Sequence, residues 1–135
     1  MDERVGHLLR KAYQKASANL ARHLRDSGLT VPRYAVLHRL REFGPISQNK
    51  LGRLVAMEPG NIHDIVRSLK AKDLIITRPD PEDSRRRLVQ LTIAGTTMID
   101  DLIACGEIAT NETLAPLNTE EQQTLKELLA RIAGP

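Results

Sequence analysis

Apolar residues recur along this chain at two periods, and the change of period divides it into elements. Between residues 3 and 26, Val5, Leu8, Leu9, Ala12, Ala16, Leu20 and Leu24 stand three or four positions apart, on one face of a long amphipathic helix that Gly28 stops. Thr30 is placed to cap a second helix, with Pro32 in its first turn and Val36, Leu37, Leu40 and Phe43 as the buried stripe, before Gly44-Pro45 ends it. Ser47 reads as the N-cap of a short third helix over 48–56, with Ile46 and Leu51 as an apolar staple and Leu54 and Val55 turned inward. Met57-Glu58-Pro59-Gly60 then makes a tight break into a fourth helix over 59–71, which Pro59 can start without losing a needed N–H. Ile62, Ile65, Val66 and Leu69 occupy i, i+3, i+4 and i+7 there, leaving Asn61, His63, Asp64, Arg67 and Lys70 outward. Two short helices joined by a tight turn predict a helix-turn-helix.

From Leu74 the period changes. Leu74-Ile75-Ile76-Thr77 and Arg87-Leu88-Val89-Gln90-Leu91-Thr92 are short, β-branched or alternating, and predict two strands. The segment between them, with Pro79, Pro81 and the turn formers Asp80 and Asp83, suits an exposed hairpin loop. A hairpin in this position is a wing. The helical period returns over 93–114, and Ala115-Pro116-Leu117-Asn118 breaks it before a last helix over 120–132, with Thr119 and Gln122 as capping box and Leu125, Leu128, Leu129 and Ile132 as stripe. The fold class is therefore mainly α with a small two-stranded β-wing, a winged helix-turn-helix with flanking helices. All 135 residues fit one domain, with a reading module over 29–92 between flanking segments 1–28 and 93–135.

Composition narrows the partners. No run approaches the roughly 18 apolar residues of a membrane span, and the Met1-Asp2-Glu3-Arg4 start lacks an apolar export signal, so a cytoplasmic protein without membrane contact is expected. Cys105 cannot form an internal disulfide or a metal site alone; it reads as a packing residue beside Leu102, Ile103 and Ile108, the other reading being a redox thiol, for which no adjacent cation supplies activation. The net charge of +3 conceals a split, because residues 96–135 carry seven carboxylates against two cations and residues 1–95 carry 18 cations against ten carboxylates. The basic part suits phosphates.

A helix that reads B-DNA enters a major groove ~12 Å wide and offers donors and acceptors from its first turns. Gly60 allows close backbone approach, Asn61 suits adenine or a phosphate, His63 a base edge, and Arg67 guanine or a phosphate, with Asp64 on the same face. Ser47, Gln48, Lys50 and Lys70 are candidates for the DNA backbone. In the wing, Asp83 and Ser84 precede Arg85, Arg86 and Arg87; guanidinium groups are favoured in the narrow, negative minor groove, and Asp83 is placed to hold Arg85 in a preset orientation. The other reading of Asp83 is a plain turn residue.

The run Asp83-Ser84-Arg85-Arg86-Arg87-Leu88-Val89-Gln90-Leu91-Thr92-Ile93-Ala94-Gly95 resembles the wing motif of the MarR (multiple antibiotic resistance regulator) family, an acidic-basic tip followed by V-x-L-T-x-x-G. The resemblance extends to Leu29-Thr30, to Ile46-Ser47 with Leu51, and to Leu69 and Leu74, and so spans almost the whole chain. It implies a homodimer on double-stranded DNA, with recognition helices in adjacent major grooves of a pseudo-palindromic operator, wings on the flanking minor grooves, small-molecule control, and repression as the default. The sequence departs from the family at Asp64, where a basic residue is common, at Arg67, where an acidic one is common, and at Ser84, where arginine is common.

The apolar stripes of the first and last two helices are more than a small monomer can bury, which by itself predicts interlocking of helices 3–26, 93–114 and 120–132 across a twofold axis. An effector is expected where those helices meet the reading module. Tyr34, His38 and Arg41 at i, i+4 and i+7, with Tyr13 on the first helix, suit an aromatic carboxylate or phenol; a structural role for these boundary residues is the other reading. No phosphate loop, metal-ligand pair or nucleophile-base motif points to an enzyme, and no cofactor or metal is expected. The rival function is a non-specific, architectural DNA-binding or protein-interaction module.

Overall fold

The computed structural model describes residues 4–135; the Met1-Asp2-Glu3 start, and with it the first residue of the expected opening helix, lies outside the described residues. Six α-helices and three strands follow in order: α1 Val5–Leu24, α2 Val31–Phe43, β1 Ile46–Ser47, α3 Gln48–Leu54, α4 Pro59–Ala71, β2 Ile75–Pro79, β3 Arg87–Leu91, α5 Ile93–Leu114 and α6 Thr119–Ala133. The chain divides into two compact units, Leu24–Ala104 and Met1–His23 with Cys105–Pro135.

In Leu24–Ala104, α2, α3 and α4 pack on one another and on an antiparallel sheet of order β1-β3-β2. The wing hairpin has the two expected strands, registered from Ile75 opposite Leu91 to Pro79 opposite Arg87. A third strand was not expected: Ile46 and Ser47 pair with Val89 and Leu88, so the residues that enter α3 also hold the wing's inner strand. Two residues carry too little periodicity to announce a strand. Leu37, Leu40, Leu51, Leu69, Ile75 and Val89 are among the side chains sealed in this core. Phe43, expected in the same stripe, is 47% exposed because it is the last residue of α2, one position before Gly44 turns the chain at φ 71°.

Caps and close approaches set the boundaries. The Thr30 hydroxyl accepts from Arg33 N, and the Ser47 hydroxyl accepts from Lys50 N, as expected of N-caps. Helix α3 stops at Leu54, two residues early, because Ala56 takes a left-handed φ of 54° in the turn to α4. Gly52 lets these two helices approach, since a Cβ there would stand 3.3 Å from Ile62 Cγ2. At the start of α5 the demand is stricter, because a Cβ on Gly95 would lie 2.0 Å from the carbonyl oxygen of Leu74. That joint is also tied by polar bonds: Thr92 Oγ1 donates to Asp73 O at 2.7 Å, and Gly95 N donates to Thr92 Oγ1 at 3.0 Å.

In the other unit the Asn19 amide donates to Thr113 Oγ1, and both Arg22 and His23 engage the Glu112 carboxylate. The hydrogen bond from His23, with the charge of Arg22, holds Glu112 below its ordinary pKa despite an opposing desolvation effect. The capping box of α6 lies one residue earlier than expected. Asn118, not Thr119, is the N-cap, accepting from Glu121 N at 2.8 Å while Asn118 N donates to Glu121 Oε1 at 2.9 Å. Gln122 instead donates to the carbonyls of Leu114 and Leu117, closing the turn before the helix. Along α1 and α6 the predicted stripes form but are only partly covered: Leu24 is buried and Ala16, Leu20 and Leu125 are half-buried, whereas Val5, Leu8, Leu9, Leu128, Leu129 and Ile132 are exposed.

Candidate nucleic-acid interface

The candidate reading residues occupy one outer face of α4. Ile62, Val66 and Leu69 bury the opposite face, so Asn61, His63, Asp64 and Arg67 project to solvent from its first two and a half turns. The His63 Nδ1 stands 3.7 Å from Asp64 Oδ1, too far for a direct hydrogen bond. Gly60 is exposed, with ordinary φ and open space where a Cβ would be. Nothing in the fold demands glycine at that position. Beside α4, Lys50 is exposed and Gln48 half-buried at the start of α3, and the Ser47 side chain is engaged in capping.

The wing tip is folded by its own acids. Asp80 N donates to Arg86 O, Asp83 N to Asp80 O and Arg86 N to Asp83 O, so two successive turns close the loop between β2 and β3. The carboxylate of Asp83 accepts three times from Arg85: Oδ1 from the backbone N and from Nε, each at 3.1 Å, and Oδ2 from Nη2 at 3.3 Å. This forked arrangement fixes the guanidinium while leaving the Arg85 side chain 89% exposed. The bonds from Arg85, aided by the charge of Arg86, hold the Asp83 carboxyl below the usual aspartate range. Asp83 is thus both the turn residue and the holder of Arg85, the two readings being one geometry. Ser84 and Arg86 are exposed at the same tip.

Two side chains that bond to the candidate site or lie beside it escaped the sequence reading. Thr77 lies in β2 and accepts at Oγ1 from both Lys70 Nζ and Arg87 Nη2, each at 3.0 Å. Arg78, its neighbour, donates from Nε to Gln90 Oε1 across the hairpin. No local signal marks a threonine in a strand as the meeting point of a helix lysine and a wing arginine.

The candidate effector residues are divided. Tyr34, His38 and Arg41 share α2, with the Tyr34 and His38 rings 5.8 Å apart, and Arg41 Nε donates to Asp100 Oδ1 at 2.6 Å. Tyr34 is buried, whereas Tyr13 is exposed and belongs to the other compact unit. Cys105 is a half-buried free thiol. No helix among the described residues is long and apolar enough to cross a membrane.

Comparison with known proteins gives this geometry a lineage. A sequence model of the MarR family matches residues 27–86, the stretch from just before α2 through the wing arginines Arg85 and Arg86. The HTH-type transcriptional repressor NicR of Pseudomonas putida is 37% identical over 130 residues, covering 96% of this chain and 82% of that one. A probable transcriptional regulator of Pseudomonas aeruginosa superposes with a TM-score of 0.87 at 42% identity, over 97% of this chain and 98% of that one. BpsR of Bordetella bronchiseptica, whose DNA binding is regulated by 6-hydroxynicotinic acid, superposes with a TM-score of 0.91 at 32% identity, over 98% and 95% of the two chains. With these relatives, the helix-turn-helix and the Asp83–Arg87 wing in place, the chain belongs to the MarR family of winged helix-turn-helix transcription regulators.

Proposed function

We propose that this protein is a cytoplasmic homodimeric repressor that binds a pseudo-palindromic operator and is released by a small hydroxylated aromatic carboxylate. It acts by binding and not by catalysis. The observation that carries the reading is the pairing of a polar outer face on α4 with an arginine presented at the wing tip, Arg85, in a geometry already fixed by Asp83. A preset guanidinium loses less conformational entropy on entering a minor groove than a free one. In this reading Asn61, His63, Asp64 and Arg67 meet base edges, and Ser47, Gln48, Lys50 and Lys70 meet the backbone. Dimerisation is the role assigned to Met1–His23 with Cys105–Pro135, whose apolar faces are only partly covered in the single chain.

The effector reading rests on NicR, a repressor, on BpsR and its 6-hydroxynicotinic acid, and on the chemistry of α2. Arg41 offers a cation to a carboxylate, and its partner Asp100 is an exposed competitor. Exposed ion pairs contribute only about 0–1 kcal/mol, so a ligand carboxylate can displace Asp100 at small cost. Tyr34 and His38 supply the adjoining ring surface.

The test is selection from random duplexes, followed by titration of the selected duplex with 6-hydroxynicotinate, benzoate and salicylate. A shared palindrome, preferred by roughly 10³-fold or more over random DNA, is expected, with release by at least one hydroxylated acid. Binding that ignores sequence and vanishes with salt would instead identify an architectural module. Retention of the complex at saturating levels of every acid would remove the effector assignment.

A further inference from the structure

We infer that Lys70, Thr77 and Arg87 form one clamp for a single phosphodiester of the duplex backbone, a site that joins the recognition helix to the wing. The inference rests on the DNA-binding reading above and specifies part of it. Lys70 stands in the last turn of α4, Thr77 in the middle of β2 and Arg87 at the first position of β3. A threonine hydroxyl has two lone pairs and one proton, and here both lone pairs are occupied, by Lys70 Nζ at 3.0 Å and Arg87 Nη2 at 3.0 Å. Its proton is left to donate. Every polar hydrogen that remains on the three side chains is therefore a donor, and none of the three offers a free acceptor.

Charge points the same way. Among the described residues neither Lys70 nor Arg87 has a carboxylate within ion-pair distance, whereas Arg85 and Arg86 at the wing tip share Asp83. Two positive groups are thus gathered on one oxygen without compensation, and an anion bridging them relieves their repulsion. The C-terminal end of α4 opposes an anion with about half a charge, against two whole charges in its favour. A phosphodiester matches the donor set, with two unesterified oxygens for two cations and a hydroxyl between them. The clamp also explains how the helix and the hairpin act as one reading head: a single phosphate would tie them together.

Phosphate neutralisation tests it. On the selected operator, single methylphosphonates are placed at each backbone position, and affinities are measured for the wild type, Lys70→Gln, Arg87→Gln, Thr77→Val and the Lys70→Gln/Arg87→Gln pair. One position per half-site is expected where neutralisation weakens the wild type several-fold and leaves both single variants with little further loss. Thr77→Val, its charge unchanged, should bind several-fold more weakly at an unchanged urea midpoint. If Thr77→Val does not fold, the surface variants carry the test. Because the slope of log affinity against log salt counts neutralised phosphates, the double variant, altered in both protomers, should lose about 1.8 from it, one phosphate in each half-site; a loss of about 3.6 would mean two separate phosphates per protomer. That loss, or sensitivity of the two single variants to different positions, or a folded Thr77→Val with wild-type affinity, overturns the clamp and leaves the operator reading standing. A wild-type chain that retains no duplex overturns both.

Discussion

The two compact units of this chain are built from the same kind of amphipathic helix and reach opposite outcomes. In Leu24–Ala104 the apolar stripes meet one another and a sheet, and every fully sealed side chain, from Leu24 to Ile99, belongs to that unit. Among the described residues of Met1–His23 with Cys105–Pro135, only Ala109 is buried among the hydrophobic ones, while Val5, Leu8, Leu9, Ile108, Leu128, Leu129 and Ile132 keep large apolar surfaces in water. So many large apolar side chains left bare along helix faces are unusual for a soluble monomer and mark an interface. The difference teaches that an apolar stripe specifies that a face is to be covered, and not what covers it.

The sharpest way to break the comparison is to cut into each unit in turn. Leu37→Ala removes a fully buried side chain from the reading module and should cost about 3 kcal/mol, seen as a lowered urea midpoint with loss of DNA binding. Leu128→Glu, at a position 45% exposed in the single chain, should leave secondary structure unchanged by circular dichroism. Its expected effect lies in assembly: about 2 kcal/mol of lost apolar burial corresponds to roughly 30-fold weaker dimerisation in sedimentation, and an unchanged association constant would place the interface elsewhere.

A smaller effect sharpens the functional side. Arg85→Ala should weaken operator binding several-fold while dimerisation and melting stay at wild-type values, because its side chain is 89% exposed and is held at the wing tip by its bonds to Asp83. Loss of thermal stability in that variant would make the arginine a structural residue of the wing. The smallest effect is on acid response. Glu112 has a depressed pKa in the folded chain, so its contribution is present above the unfolded glutamate value and disappears as pH falls through the folded one. The wild-type urea midpoint should therefore fall more steeply than that of Glu112→Gln as pH is lowered below the ordinary glutamate range. Parallel curves would show that the contacts with Arg22 and His23 contribute nothing to stability.

Much of the site was legible because local physics sets it. The outward positions of Asn61, His63, Asp64 and Arg67 follow from the 3.6-residue period once Ile62, Val66 and Leu69 are assigned inward. Asp83 and Arg85 are two residues apart, within reach of one another in any tight turn, so their bond could be anticipated. The misreadings are of a different kind. Thr119 and Asn118 are both good caps, and Glu121 and Gln122 both suitable partners, so the choice fell to the Ala115–Asn118 turn, where Gln122 is used to bind carbonyls. Phe43 fits the α2 stripe by period, but the helix ends there and leaves it exposed.

By itself, the sequence determined the helices, their inward and outward faces, the wing hairpin and the family, because caps, periodicity and turn residues act over a few neighbouring positions. Only the tertiary structure decided three things. It added Ile46 and Ser47 as a third strand against Val89 and Leu88, a pairing across more than 40 residues that no local pattern encodes. It required Gly95 to be a glycine, because the Leu74 carbonyl occupies the space of a side chain. And it brought Lys70 and Arg87 to one hydroxyl, since the distance between a helix and a strand is set by the core they share and not by the residues that meet above it.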